Sequence, residues 1–166
     1  MTYLFKQYSN PKYQHGFSLL EVMIAMVILS VGLLGLAGMQ VIALENSNES
    51  ASRNQAIILA YSMYDRMMSN QQAKDSYLIA STVTLPVNNS CTLGNCVPTG
   101  MVTYDHSQWK LNLSQQLLSG SGEITGAFPD YTITVRWDED RNGATGLNCP
   151  PQGVADLRCF QLMVQL

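Results

Sequence analysis

The chain has 166 residues, 46% of them hydrophobic, with 9 Lys and Arg against 12 Asp and Glu for a formal net charge of −3. That length accommodates one globular domain of ordinary size. The acidic balance supplies no basic field for nucleic acid, which is not expected as a partner, and two histidines leave little material for metal or general-base chemistry.

Residues 1–16 carry Lys6 and Lys12, no acid, and end in His15-Gly16. An apolar run follows directly, with no charged residue from Val22 to Leu44. At 1.5 Å per residue that stretch spans about 35 Å, enough to cross a hydrocarbon core about 30 Å thick. Lysines before it and Glu45 and Glu49 after it keep the N-terminus in the cytoplasm and send the bulk of the chain across the membrane. The expected anatomy is a leader over residues 1–16, a transmembrane helix over 17–44, and an exported head over 45–166 that includes the second half of the long helix. Without Lys6 and Lys12 the basic count falls from 9 to 7 against 12 acids, a balance of −5.

A secretory signal peptide places its small-residue cleavage site beyond the apolar core. Here the far end runs Ala43-Leu44-Glu45-Asn46, with no such site, so the apolar helix is expected to be retained. Glu21 stands four residues past Phe17, between Leu20 and Val22. A carboxylate on a membrane helix costs a few kcal/mol and normally has a partner. No Lys or Arg occurs between it and Arg53. The α-amine that a cut between Gly16 and Phe17 would create lies about one turn away, on the same helix or on a neighbouring subunit. The alternative is a carboxylate resting among headgroups with no role.

Gly32, Gly35 and Gly38 recur every three residues and put small residues along one side of the helix, where backbones can approach closely. They also read as ordinary transmembrane glycines that soften the helix. No Pro occurs between Phe17 and Asn70, so one helix of about 54 residues, about 80 Å long, is expected, with Ile57, Tyr61, Tyr64 and Met68 as its apolar stripe in the head.

Residues 81–104 read as a loop-rich connection, containing Pro86, Pro98, Asn88-Asn89-Ser90 and the first cysteine pair. The four cysteines, Cys91, Cys96, Cys149 and Cys159, all follow the apolar block, in a compartment where disulfides persist. Three pairings are possible; the short loop favours Cys91 with Cys96, leaving Cys149 with Cys159. Zinc is disfavoured because neither spacing is C-x-x-C and no histidine falls near either pair. A short helix is expected from about Asp105 to Leu118, with Asp105 as its cap, His106 at the surface or capping, and Trp109, Leu113 and Leu117 on one face. Gly120 to Gly126 reads as a turn.

Residues 131–137 and 160–166 alternate with period two and are expected to pair as an antiparallel hairpin over the long helix. Between them Asp138, Asp140, Asn142 and Gly143 occupy the first, third, fifth and sixth places of a calcium loop, but the twelfth is Cys149 in place of Glu. A solvated turn is the favoured reading. Calcium is the alternative, with Asp156 as a substitute ligand, and no other cofactor is expected.

The string Gly16-Phe17-Ser18-Leu19-Leu20-Glu21-Val22-Met23-Ile24-Ala25 resembles the class III signal shared by type IV pilins and type II secretion pseudopilins. That resemblance implies a prepilin peptidase that cuts after Gly16 and methylates Phe17, and an assembly role for Glu21. It also implies an α+β pilin fold, one long N-terminal helix packed on a small antiparallel sheet with a second short helix. Ser30 to Gln40, Arg53-Asn-Gln-Ala, Asp65-Arg66-Met67-Met68-Ser69-Asn70, Asp105-His-Ser-Gln-Trp109, Leu117-Leu118-Ser-Gly-Ser-Gly122 and Ile133-Thr-Val-Arg-Trp137 resemble the minor pilins described as type IV pilus modification protein PilV. The implied partners are other minor pilins, the major pilin, a tip adhesin, the peptidase and inner-membrane lipid. The implied location is the bacterial inner membrane and then the pilus tip, where a non-enzymatic priming complex serves adhesion and twitching motility. A type II secretion minor pseudopilin is the alternative within this class, and a membrane-anchored periplasmic enzyme or ligand-binding module lies outside it.

Overall fold

The computed structural model describes residues 16–85, 91, 94 and 96–166. Lys6, Lys12 and the rest of the expected leader before Gly16 lie outside the described residues, as do Pro86 and Asn88-Asn89-Ser90. The chain divides into two compact units, one ending at Leu44 and one comprising Glu45–Leu166.

Helix α1 runs Leu19–Ser69, 51 residues without a proline. Ser18 starts it: its Oγ accepts from Leu20 N at 3.3 Å and its carbonyl accepts from Glu21 N at 3.0 Å. Up to Ser50 every described residue of the helix is exposed, and its apolar window has mean hydropathy 2.5 with none of it buried.

In the second unit α1 buries a different face from the expected stripe. Ala56, Leu59, Ala60, Met63 and Met67 are buried, whereas Tyr61 and Met68 are exposed and Ile57 and Tyr64 only half-buried. The small residues decide this, because Ala56 and Ala60 let neighbouring elements approach a helix that the bulkier Ile57 and Tyr61 would hold away. The segment Gln71–Tyr77 follows as 3₁₀ turns kinked at Ala73.

Helix α2 spans Pro98–Gln116, starting seven residues before the expected helix; residues 98–104 are helical where a loop was expected. Pro98 sits in its first turn, where a missing N–H costs nothing. Asp105 is therefore inside the helix and does not cap it. Ser119 (φ 51°) and the bond from Gly120 N to Leu117 O at 3.1 Å end the helical stretch.

The sheet has three antiparallel strands in the order β1 (Ser121–Ala127), β2 (Asp130–Trp137), β3 (Arg158–Gln165). β2 and β3 pair as the alternation predicts, with Ile133 opposite Leu162 and Val135 opposite Phe160. β1 replaces the expected turn at Gly120–Gly126. Its glycines serve close packing: a Cβ on Gly122 would sit 2.4 Å from Trp109 Cη2 and 2.7 Å from Leu113 Cδ1. Trp109, Leu113, Ile124, Tyr131, Ile133 and Val135 join the α1 residues in one core, with Phe160, Leu162, Val164 and Leu166 packed at its margin. Full burial of each large aliphatic side chain contributes about 1.5–3 kcal/mol.

Gly122→Ala should overpack the Trp109–Leu113 contact and destabilise the head by about 1–3 kcal/mol. Urea unfolding of the variant checks this; an unchanged midpoint would show that the sheet can move away from α2.

Candidate functional site

The N-terminal site is built on the first turn of α1. Gly16 and Phe17 precede the helix, Phe17 is exposed, and Ser18 to Glu21 form an S-x-x-E start that places the Glu21 carboxylate in the first turn, where the helix dipole favours negative charge. Glu21 is solvent-exposed and shows no ion pair among the described residues. Around Gly32, Gly35 and Gly38 an added Cβ would meet nothing within 4 Å. Within this unit, then, the apolar side chains, the carboxylate and the glycine row all face outward.

The head carries a polar cluster that joins two of the strings singled out in the sequence. Arg66 Nη1 lies 2.6 Å from Asp105 Oδ1, and the Tyr77 hydroxyl donates to Asp105 Oδ2 at 2.6 Å. Asn70 Nδ2 donates to Pro98 O at 2.8 Å and to the Tyr77 hydroxyl at 3.3 Å. His106 Nε2 donates to Tyr77 O at 2.9 Å, and the two rings meet edge to face at 5.6 Å. Burial and the Asp105 carboxylate both raise the Tyr77 phenol, so it remains a donor at neutral pH. Burial lowers His106. His106 is thus a core residue, contrary to the surface placement expected, because seven further residues of helix precede Asp105.

Tyr77 and Lys110 had no motif to announce them. Lys110 Nζ donates to Ala80 O, Ser81 O and Gly122 O at 2.9, 3.0 and 2.6 Å, tying α2 to β1 and to the chain that covers it. Burial pulls its amine down to about 8, while its three protons are all received by carbonyls.

An open groove of about 760 Å³ is lined by Ile57, Ile58, Tyr61, Arg66, Met101 and Asp105, among others. Ile57 and Tyr61 of the expected stripe lie here. Two of the groove's polar groups, Arg66 and Asp105, are paired with each other.

Cys91 is bonded to Cys96 and Cys149 to Cys159. In the acidic loop Asp138 is buried and accepts from Gly143 N at 2.9 Å and Asn142 N at 3.3 Å. Asn142 Oδ1 accepts from Ala144 N, Asp140 lies 3.8 Å from Arg158, and Asp156 accepts from Gln152 N and Asn148 Nδ2. Each candidate calcium ligand thus holds the loop itself. Among the described residues no group of three or more His, Cys, Asp or Glu side chains is arranged to hold a metal.

An exposed apolar helix with one carboxylate in its first turn, followed by an α+β head of two helices and a three-stranded antiparallel sheet, defines a type IV pilin-like protein. Residues 11–37 match the family model for the prokaryotic N-terminal methylation motif, and residues 38–107 match the model described as type IV pilin Tt1218. The chain is a type IV pilin-like protein, anchored by a single membrane pass. No curated protein and no solved structure matches it significantly. Pilins are structural proteins, and the methylation motif implies processing by prepilin peptidase and association with pilus components.

Asp105→Ala should cost about 1–3 kcal/mol, because it removes the carboxylate shared by Arg66 and the Tyr77 hydroxyl, leaving the hydroxyl proton only a 3.4 Å bond to Arg66 O. Chemical denaturation of the head would read this, and Arg66→Ala, at a side chain 29% exposed, should cost less. A second expectation concerns pH. The His106 pKa lies below its unfolded value of 6.5, so the unfolded chain takes up a proton that the fold excludes. Stability contributed by neutral His106 is present above pH 6.5 and is lost as pH falls through 6.5 toward the depressed folded value. The head should therefore unfold more readily at pH 5 than at pH 7.5, and His106→Gln should flatten that slope; equal slopes in both proteins would remove His106 as the cause.

Proposed function

We propose that this chain is a minor pilin of the PilV kind, which joins other minor pilins in a priming complex at the pilus tip and helps present an adhesin. Residues 1–16 are the leader, 17–44 the membrane and filament-core helix, and 45–166 the periplasmic head. The observation that carries the pilin part is the register of Gly16, Phe17 and Glu21 ahead of an uncharged span, inside the matched methylation motif. The minor-pilin part is supported by the downstream strings, several of which meet in the Arg66–Asp105 and Trp109–Gly122 contacts.

On this reading the cut after Gly16 leaves the methylated amine of Phe17 as the cation that Glu21 lacks, on its own helix or on an adjoining subunit. Gly32, Gly35 and Gly38 form the face on which neighbouring spans approach. Filament building, with no bond made or broken by the head, is its task.

Mass spectrometry of the protein from peptidase-containing membranes should show a mature chain beginning with methylated Phe17, and Gly16→Val should retain the leader. Glu21→Ala should be cut and inserted normally yet fall by about tenfold in the sheared pilus fraction, the loss of roughly 1.4 kcal/mol of assembly energy. Wild-type recovery of Glu21→Ala in pili would defeat the assembly role, and dependence of protein export in place of piliation on this chain would assign it to type II secretion.

A further inference from the structure

The two edges of the sheet are treated differently. At the β1 edge Ile79 exchanges both backbone hydrogen bonds with Ile124, at 3.1 and 2.9 Å, and Lys110 fastens the covering segment through Ala80 and Ser81. Among the described residues, no strand or bridge pairs with the outer side of β3.

The register shows which groups are left over. Because Ile124 turns its N–H and C=O toward Ile79, its β2 partner Ile133 turns its own toward Leu162. The bond from Leu166 N to Pro129 O continues the same phase. Phe160, Leu162 and Val164 therefore bond inward to β2, and Cys159, Gln161, Met163 and Gln165 point their backbone donors and acceptors away from the sheet. No backbone hydrogen bond from another described segment reaches those four.

An edge of eight residues would ordinarily be blunted by a lysine, a proline or a bulge. β3 has none of these: residues 159–166 are uncharged, and its one charge, Arg158, is paired with Glu139 at 3.3 Å. The apolar row on the core side, Phe160, Leu162, Val164 and Leu166, is only partly buried, whereas its β2 neighbours Tyr131, Ile133 and Val135 are fully buried.

We infer that the β3 edge receives an extended strand from a different subunit of the pilus, which adds a fourth strand to the sheet. The chemistry of that strand follows from the edge. Its backbone bonds to Cys159, Gln161, Met163 and Gln165, and apolar side chains at alternate positions complete the cover over Phe160, Leu162 and Val164. It is uncharged there, since no opposite charge on residues 159–166 would compensate a desolvated one. The nature of the partner rests on the pilus function proposed above.

Hydrogen exchange on the full-length chain tests this, comparing protein alone in detergent with the sheared pilus fraction. Amides of residues 161, 163 and 165 should exchange freely in the isolated chain and become protected in pili, while those of 160, 162 and 164 are protected in both. Met163→Pro removes one outward N–H at an 80% exposed side chain and leaves the inward ladder intact. It should melt near the wild type and fall at least about tenfold in the pilus fraction, with Met163→Ala unaffected. Free exchange at 161, 163 and 165 in pili that contain the chain, or normal incorporation of Met163→Pro, would overturn the proposal and spare the pilin reading. Absence of the chain from pili altogether would overturn both. Protection in the isolated chain that rises with its own concentration would assign the edge to a second copy and so refute a different subunit.

Discussion

The head is organised by a register lock between its two helices. Asp105, Trp109 and Gln116 of α2 reach Arg66, Leu59 and Gln55 of α1, so numbers rise along one helix as they fall along the other. The outer ties are the same distance apart on both, from 105 to 116 and from 66 to 55, about 16 Å of helix. The middle tie is the informative one. Trp109 Nε1 donates at 2.9 Å to the carbonyl of Leu59, a group inside a continuous helix, and it can come that close because the adjacent Ala56 and Ala60 end at Cβ. A carbonyl has a second lone pair, so the helix keeps its own bond.

From that lock the sheet takes its place. Trp109 and Leu113 present a flat surface that only a glycine at position 122 can meet, and Lys110, one residue beyond Trp109, turns to the other side to hold Gly122 by its carbonyl. β1 is thereby fixed to α2 from two directions. Arg136 adds an ion pair to Glu123 at 2.6 Å and a bond to Leu147 O at 2.9 Å, carrying the constraint across β2 to the loop before β3. β3 is last in this chain of dependencies and is held by β2 along one side.

What could be read from the residues follows from how local each signal is. Glu21 after Phe17 and the uncharged span announce themselves by contrast with their surroundings. The β2 and β3 alternation survives because each strand has one face against the core. The buried stripe on α1 departs from the one that apolar size marks, because close approach favours small residues: Ile57 and Tyr61 are larger, but Ala56 and Ala60 are the ones fully buried. Gly122 looked like a turn residue for a similar reason, since its purpose lies in Trp109, thirteen residues earlier in the chain. Asp105 resembles a cap in sequence because its partners, Arg66 and Tyr77, are remote along the chain. Nothing in the neighbourhood of Tyr77 or Lys110 marks them, as each is defined by carbonyls and carboxylates brought to it by the fold.

The core of the head begins at Ala56, so no buried residue comes from the span that ends at Leu44. Folding of the head and placement of the span are therefore separate problems with separate solvents. Lipid is as apolar as the span, and leaving it for a filament gains nothing from hydrophobic burial. On the proposed function, the drive has to come from contacts that lipid cannot imitate: a carboxylate pairing with an amine, backbones meeting over glycines, and hydrogen bonds between strand edges. Glu21, the row at Gly32, Gly35 and Gly38, and the bare side of β3 supply one of each, the first two on the span and the third on the head. On that reading the chain would wait in the bilayer as a folded monomer, because its head buries its own core and its span is as apolar as lipid, until a subunit offers all three contacts together.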